Sequence, residues 1–218
     1  MKTGFLQFGY TMRRKIQEFP SVSLKIEDLN GKFDIEKIFG RPGSFHLEIG
    51  SGKGTFLVHQ ALACPGDNFL GIEWASRFYR LAVDKIGRRK TTNVRIIRTD
   101  ASVFIPEFIP ENFVDCFHIY FPDPWPKKRH KKRRFICDSN LEMLIKHLKP
   151  SGQIRIATDH DDYFEQIREV IGRAKDKLEE IDFMKTAGAE TGEWVGTSFE
   201  RKYIRQKKQI YTIALKKK

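Results

Sequence analysis

Residues 45–55 read FHLEIGSGKGT, and this stretch decides the fold. Residues 45–49 are a short apolar strand, and residues 55–63 have the pattern of a helix. Between them Gly50, Gly52 and Gly54 occupy alternate positions. Without a Cβ, such a turn can reverse sharply and let the backbone approach a ligand. Working outward, 69–73 and 94–98 read as further strands, with a helix over 77–88 between them. Residues 114–121 form a nearly continuous apolar run, as expected of a central strand buried on both faces. A helix over 134–148 should stop at the Lys149-Pro150-Ser151-Gly152 turn, followed by a strand over 153–158. A helix over 163–180, capped by Asp161 or Asp162, and an alternating strand over 209–215 close the chain. Strands and helices that alternate through short turns imply an α/β fold: a doubly wound, mostly parallel sheet with helices on both faces. Residues 1–44 read as an N-terminal arm or helical extension before a main domain over 45–218.

In such a sheet ligands bind beyond the carboxyl ends of the strands. That rule singles out Gly50–Gly54, Glu73, Asp100, Pro122–Trp125 and Thr158–Asp162, each of which follows a strand. The glycine turn lacks the third glycine of a dinucleotide fingerprint, because Thr55 stands there, and it lacks the phosphate-loop pattern. Its ExGxGxG form instead resembles the first motif of class I S-adenosylmethionine-dependent methyltransferases. Glu73 ends the second strand, where a carboxylate can accept both ribose hydroxyls. Asp100, beside Ala101, ends the third, and Glu48 could hold the methionine end of the cofactor.

Composition points the same way. The 218 residues carry a net charge of +12, which suggests a polyanionic partner such as nucleic acid. A 40% hydrophobic content with 12% aromatics is enough for a real core and excludes wholesale disorder. There is no apolar span long enough to cross a bilayer and no secretion signal, so a cytoplasmic location is expected. Cys64, Cys116 and Cys137 are scattered without CxxC spacing and read as reduced, mostly buried thiols without a metal role. Asp159, His160, Asp161 and Asp162 are four adjacent residues that cannot all converge on one ion, so no metal is expected.

Much of the charge is local. Residues 121–134 read FPDPWPKKRHKKRR: three prolines stiffen a loop around Asp123 and Trp125, and seven Lys or Arg with one His follow. A fixed carboxylate beside an aromatic ring suits a flat base, and the basic run suits backbone phosphates. This string, after the ExGxGxG turn, resembles the tRNA (guanine-N7-)-methyltransferase family. Thr158-Asp159 with Tyr163-Phe164-Glu165 is similar to the family's TDxxxYF segment, and Thr197-Ser198-Phe199-Glu200 to its TxFE segment. Ser198 stands where many members carry Lys.

The resemblance implies a seven-stranded class I sheet, S-adenosylmethionine as cofactor and a tRNA substrate methylated at guanine N7 in the variable loop. It places Glu48, Gly50, Gly52, Gly54, Glu73, Asp100, Ala101 and Asp123 around the cofactor, with Asp123 also the active-site acid. Lys127, Asp159, Thr197, Ser198, Phe199 and Glu200 would hold substrate, with Asp159 and Glu200 as acceptors for guanine N–H groups. Arg129, His130, Lys131, Lys132, Arg133 and Arg134 would touch RNA. The late basic residues 201–208 and 216–218 either extend that track or are a solvated strand face. A methyltransferase acting on exocyclic amines and a non-catalytic RNA-binding module stay open as alternatives, as do monomer and homodimer.

Overall fold

The computed structural model describes residues 15–29 and 31–218. In chain order the elements are β1 (Ser23–Leu24), a 3-10 turn (Ile26–Asp28), α1 (Ile35–Phe39), β2 (Phe45–Ile49), α2 (Thr55–Ala63), β3 (Asn68–Ile72) and α3 (Ser76–Arg88). Then come β4 (Val94–Ile97), α4 (Ala101–Phe108), β5 (Val114–Tyr120), a 3-10 turn (Lys128–Arg133) and α5 (Asp138–His147). β6 (Leu148–Thr158), α6 (Asp161–Arg173), β7 (Leu178–Ile181), α7 (Ser198–Arg205) and β8 (Tyr211–Lys217) complete the chain. One eight-stranded sheet has the order β1-β4-β3-β2-β5-β6-β8-β7. The pairings from β1 through β6 are parallel, and β8 runs antiparallel to both β6 and β7.

The chain winds outward from β2 through β3 to β4, then crosses back to place β5 on the other side of β2. Strand order therefore reverses between β2 and β5, and the crevice beyond their carboxyl ends is where such sheets bind ligands. Alternation along β2 sends Phe45, Leu47 and Ile49 into one core with α4, α5 and α6. The opposite face packs Phe56, Leu57 and Ala61 of α2 and Ala82, Val83 and Ile86 of α3 against Phe69 and Ile96. Gly71 of β3 lies under α2, where a Cβ would come within 2.5 Å of Leu57 Cδ1 and Ser51 Oγ.

Several expectations differ in detail. The eighth strand is β1, a two-residue edge strand too short to carry a periodic signal. The helix expected over 163–180 ends at Arg173, and 178–181 becomes strand β7. The apolar spacing continues to Ala174, but there the chain turns, with Lys177 and Leu178 N–H donating to its carbonyl, and β8 captures the next residues. The cap of α6 is His160, whose Nδ1 accepts from Tyr163 N–H; Asp162 instead binds Lys131 and Arg134. The helix expected from 134 begins at Asp138, because 128–133 form a 3-10 turn and Arg134 is extended. The expected 149–152 turn is a bulge within β6, where Val114 pairs with Leu148 and Cys116 with Gln153.

Of the N-terminal arm, residues 1–14 and Asn30 lie outside the described residues. Val22, Leu24, Leu29, Phe33 and Phe39 from the rest of it are buried in the two cores.

Candidate active site and basic rim

The glycine turn leaves β2 with Gly50, Gly52 and Gly54 at φ of 78°, 53° and 66°, the left-handed region that glycine enters without strain. Gly54 is not part of the cleft wall. It caps α2 where a Cβ would lie 3.0 Å from Ala82 Cβ, so its smallness serves α2–α3 packing. Glu73, at the end of β3, is 7% exposed and fastens this turn. Its Oε2 accepts from Gly52 N–H at 2.7 Å and its Oε1 from Ala75 N–H at 2.7 Å. Each oxygen keeps a further lone pair for a ligand hydroxyl. Asp100 caps α4 through Oδ1, which accepts from Ser102 N–H and Oγ–H at 2.9 and 2.7 Å.

Glu73, Asp100, Ala101 and Asp123 line one cleft of about 450 Å³ together with Gly50, Gly52, Trp74 and Phe199. Trp74, 70% exposed, was not anticipated from the sequence; its position just after the acid that ends β3 was the available signal. A smaller pocket of about 150 Å³ beside it is lined by Glu48, Gly50, Gly52, Thr197, Ser198 and Phe199. Glu48 is 4% exposed, and its Oε2 has no partner. Burial pushes its carboxyl up to about 8. An orphaned buried carboxyl under a glycine turn, next to two acids on successive strand ends, fits a ligand with an amino-acid ammonium at one end and a ribose at the other. Glu48→Gln should weaken cofactor binding by roughly tenfold or more, the scale of one charge-assisted hydrogen bond. Calorimetry that returned an unchanged dissociation constant would remove Glu48 from the site.

Asp123 is carried by a loop whose backbone is left-handed on both sides, at Phe121 (φ 52°) and Trp125 (φ 42°). Such conformations cost about 1–3 kcal/mol each and persist only where the surroundings impose them. Here Phe121 N–H donates to Ala157 O at 2.7 Å, and Arg134 Nε–H donates to Pro124 O at 2.7 Å. Trp125 packs edge-on to His130 and under the Arg133 guanidinium, 5.0 Å from its ring centre.

The structure sorts the remaining sequence-derived residues. Thr197, Ser198 and Phe199 reach the smaller pocket, with Thr197 capping α7 and Ser198 Oγ 2.7 Å from Thr55 Oγ1. Asp159 sits at the end of β6 and accepts from Lys208 Nζ at 2.5 Å. Glu200 is not placed to receive a guanine. It is fully buried, with Oε1 accepting from Trp194 N–H and Oε2 from Val195 and Gly196 N–H at 2.6, 3.0 and 2.7 Å.

Lys127, Lys128, Arg129 and Lys132 are exposed, and their side chains make no ion pair among the described residues. His130 and Lys131 are half-buried, and Lys131 pairs with Asp162 at 2.5 Å. Arg134 is not an RNA contact: it is 2% exposed and bonds within the protein. Among the late basic residues, Arg201 pairs with Glu190 and Glu193, and Lys217 donates to Asn112, Ile145 and Leu148.

A family model described as a putative methyltransferase matches residues 42–213. A tRNA (guanine-N(7)-)-methyltransferase of Ralstonia pickettii (strain 12J) is 41% identical over 139 residues, covering 63% of this chain and 54% of that protein. One from Cupriavidus pinatubonensis (strain JMP 134 / LMG 1197) is 36% identical over 186 residues, 85% of this chain and 72% of the relative. The match to the Ralstonia protein thus spans just over half of its length. Among solved structures, the aminoglycoside resistance methyltransferase NpmB1 superposes with a TM-score of 0.55 at 12% identity, covering 86% of this chain and 95% of that one. A SAM-dependent methyltransferase from Aquifex aeolicus gives 0.52 at 17% identity, over 85% and 89%. At those identities the likeness is one of fold. With its glycine turn, its acidic strand ends and these relatives, the chain belongs to the tRNA (guanine-N7-)-methyltransferase family, built on the class I methyltransferase fold.

Proposed function

We propose that this chain transfers the methyl group of S-adenosylmethionine to N7 of a guanine in the tRNA variable loop, in the cytoplasm. One observation carries the reading: a single cleft holds Glu73, Asp100 and Asp123 from three strand ends, and a basic arc with Lys128, Arg129, Lys132 and Arg133 exposed follows the Asp123 loop directly. Glu73 would take the ribose, Asp100 and Ala101 the adenine side, and Glu48 the methionine end. Thr197, Ser198 and Phe199 would border the transfer point, with Lys127 and Asp159 toward the substrate. Arg129, Lys132 and Arg133 would meet phosphate, joined by His130 and Lys131.

Held by Glu48, Glu73 and Asp100, S-adenosylmethionine would supply a sulfonium methyl group for the N7 lone pair, its sulfur keeping the bonding electrons. N7 has an in-plane lone pair and no proton, so this chain needs no general base. Its burden is positioning, which supplies on the order of 7–11 kcal/mol in well-oriented reactions. Asp123 adds a fixed negative charge beside the purine as that ring becomes cationic. The left-handed Phe121 and Trp125 hold that carboxylate in place before substrate arrives.

The test is incubation of the full chain with unmodified tRNA transcripts and methyl-labelled cofactor, followed by nucleoside analysis. The expected product is labelled 7-methylguanosine, reduced about 100-fold or more by Asp123→Ala. Label in another nucleoside would replace the target atom. Bound cofactor with no label on any tRNA would reject the transferase reading.

A further inference from the structure

A second cleft, of about 520 Å³, lies on the α2 face of the sheet and shares no lining residue with either pocket of the active site. His46, Cys116 and His118 line it. The parallel pairing sets His46 beside Cys116, and His118, two residues on, projects from the same face of β5. The donor atoms of these three side chains all lie within 4.8 Å of one another.

The two imidazoles share a hydrogen bond, His46 Nδ1 to His118 Nε2 at 3.0 Å, with ring planes 13° apart. One of these facing nitrogens therefore carries a proton, which passes to the outer nitrogen of the same ring when both ligate. Two nitrogens bound to a tetrahedral zinc at about 2.0–2.1 Å stand about 3.3 Å from each other, so little rearrangement is needed. The outer nitrogen of each ring has its own polar partner. Tyr120 Oη is 2.8 Å from His118 Nδ1, and Asp67 Oδ2 is 3.8 Å from His46 Nε2. Partners of this kind orient metal-binding histidines and fix which nitrogen carries the proton. The Cys116 thiol makes only a long contact, 3.7 Å, to Phe117 O of its own strand.

We propose that His46, Cys116 and His118 form a binding site for a borderline-soft divalent cation, zinc foremost, with a fourth coordination position open to the cleft. Imidazole and thiolate together select zinc over magnesium or calcium, which prefer oxygen. Binding forms the metal–sulfur bond and releases the thiol proton to solvent. Three cations, Lys149, Arg155 and Lys185, line the same cleft. Asp115 neutralises Lys149 at 2.7 Å, and the Arg155 guanidinium donates to Met184 O and stacks 4.4 Å over Phe183, so the thiolate and Asp67 supply the charge that favours the ion. The site escapes a motif search because adjacent strands, not a short spacing in one loop, bring its ligands together.

The measurement is titration of the full, chelator-stripped chain with cobalt(II) as a spectroscopic probe, followed by displacement with zinc. Saturation at one equivalent with a thiolate-to-cobalt charge-transfer band is expected. Cys116→Ser should abolish the band and His46→Gln should weaken cobalt binding at least tenfold, while Cys137→Ser changes neither. The proposal is overturned if no saturable band forms, or if the band survives Cys116→Ser in folded protein. A Cys116→Ser chain that fails to fold leaves His46→Gln to decide: unchanged cobalt affinity in that variant also overturns it.

Discussion

Replacing Arg134 with alanine is expected to destabilise the chain by about 2 kcal/mol and to slow methylation by about 100-fold, while leaving RNA affinity and its salt dependence nearly unchanged. Seven neighbours in the same run are basic, yet Arg134 alone is turned inward. Its Nε–H holds Pro124 O at 2.7 Å, Nη1 reaches Gln166 Oε1 at 2.8 Å, and Nη2 meets Asp162 Oδ2 at 2.5 Å. The guanidinium lies 4.7 Å above the Tyr163 ring. One planar group thus ties the loop that carries Asp123 to the start of α6. Removing it strands the Pro124 carbonyl and the Gln166 amide, while half-exposed Asp162 is recovered by water; the sum is about 2 kcal/mol. For a chain of this size that lowers the melting temperature by about 4–8 °C. The larger effect is kinetic, because a shift of about 1 Å in a catalytic group costs on the order of 100-fold.

Arg134→Lys should rescue little, since an ammonium cannot span three acceptors set by a planar fork. Lys128→Ala, Arg129→Ala and Lys132→Ala are the controls. Each should spare melting temperature and reduce the salt slope of tRNA binding by about one for every phosphate left without its cation. The opposite split, with Arg134→Ala flattening the salt slope and keeping the melting temperature, would return Arg134 to the RNA surface. The clamp also has a pH signature. Lys131 and Arg134 hold the Asp162 carboxyl down to about 2, so its contribution is complete above the ordinary value of 3.8 and is lost as pH falls toward 2. Asp162→Asn should remove that acid-limb dependence.

The strands and helices most legible in the sequence were those whose pattern is local. β2, the glycine turn and α2 came through to the residue, because apolar alternation, φ > 0 at Gly50, Gly52 and Gly54, and helical spacing each act within a few positions. The acids at strand ends were legible for a topological reason: a doubly wound sheet puts every such position on one rim. What stayed hidden depends on partners far along the chain. β7 exists because β8 pairs with it, and 178–181 carries no alternation that would distinguish it from a continuing helix. Eight basic side chains in a row look alike until the chain path buries the last of them against Tyr163. His46, Cys116 and His118 likewise meet only when β2 and β5, 70 residues apart at their paired positions, lie side by side.

Glu200 poses the same problem and gives the other large expected effect. A carboxylate in the late TxFE segment reads as an acceptor for a base, yet both of its oxygens are committed to the N–H groups of Trp194, Val195 and Gly196. Its own N–H is capped by Thr197 Oγ1 at 2.9 Å, so the first turn of α7 and the segment before it form one closed unit. Glu200→Ala leaves three backbone donors without an acceptor in a site the side chain filled completely. At about 1–3 kcal/mol for each buried unsatisfied group the expected loss is about 3 kcal/mol or more, a fall of about 6–12 °C in melting temperature. Glu200→Gln should fall between wild type and Ala, because its amide turns a donor toward one of the three N–H groups. Amide exchange at Trp194, Val195 and Gly196 should speed up together in both variants, since one carboxylate protects all three. The consequence reaches the active site through Thr197, Ser198 and Phe199, which border the pocket of Glu48. Methylation should therefore decline in step with the loosening of this segment. A Glu200→Gln chain with native exchange rates and selectively lost guanine discrimination would instead place the carboxylate on the substrate.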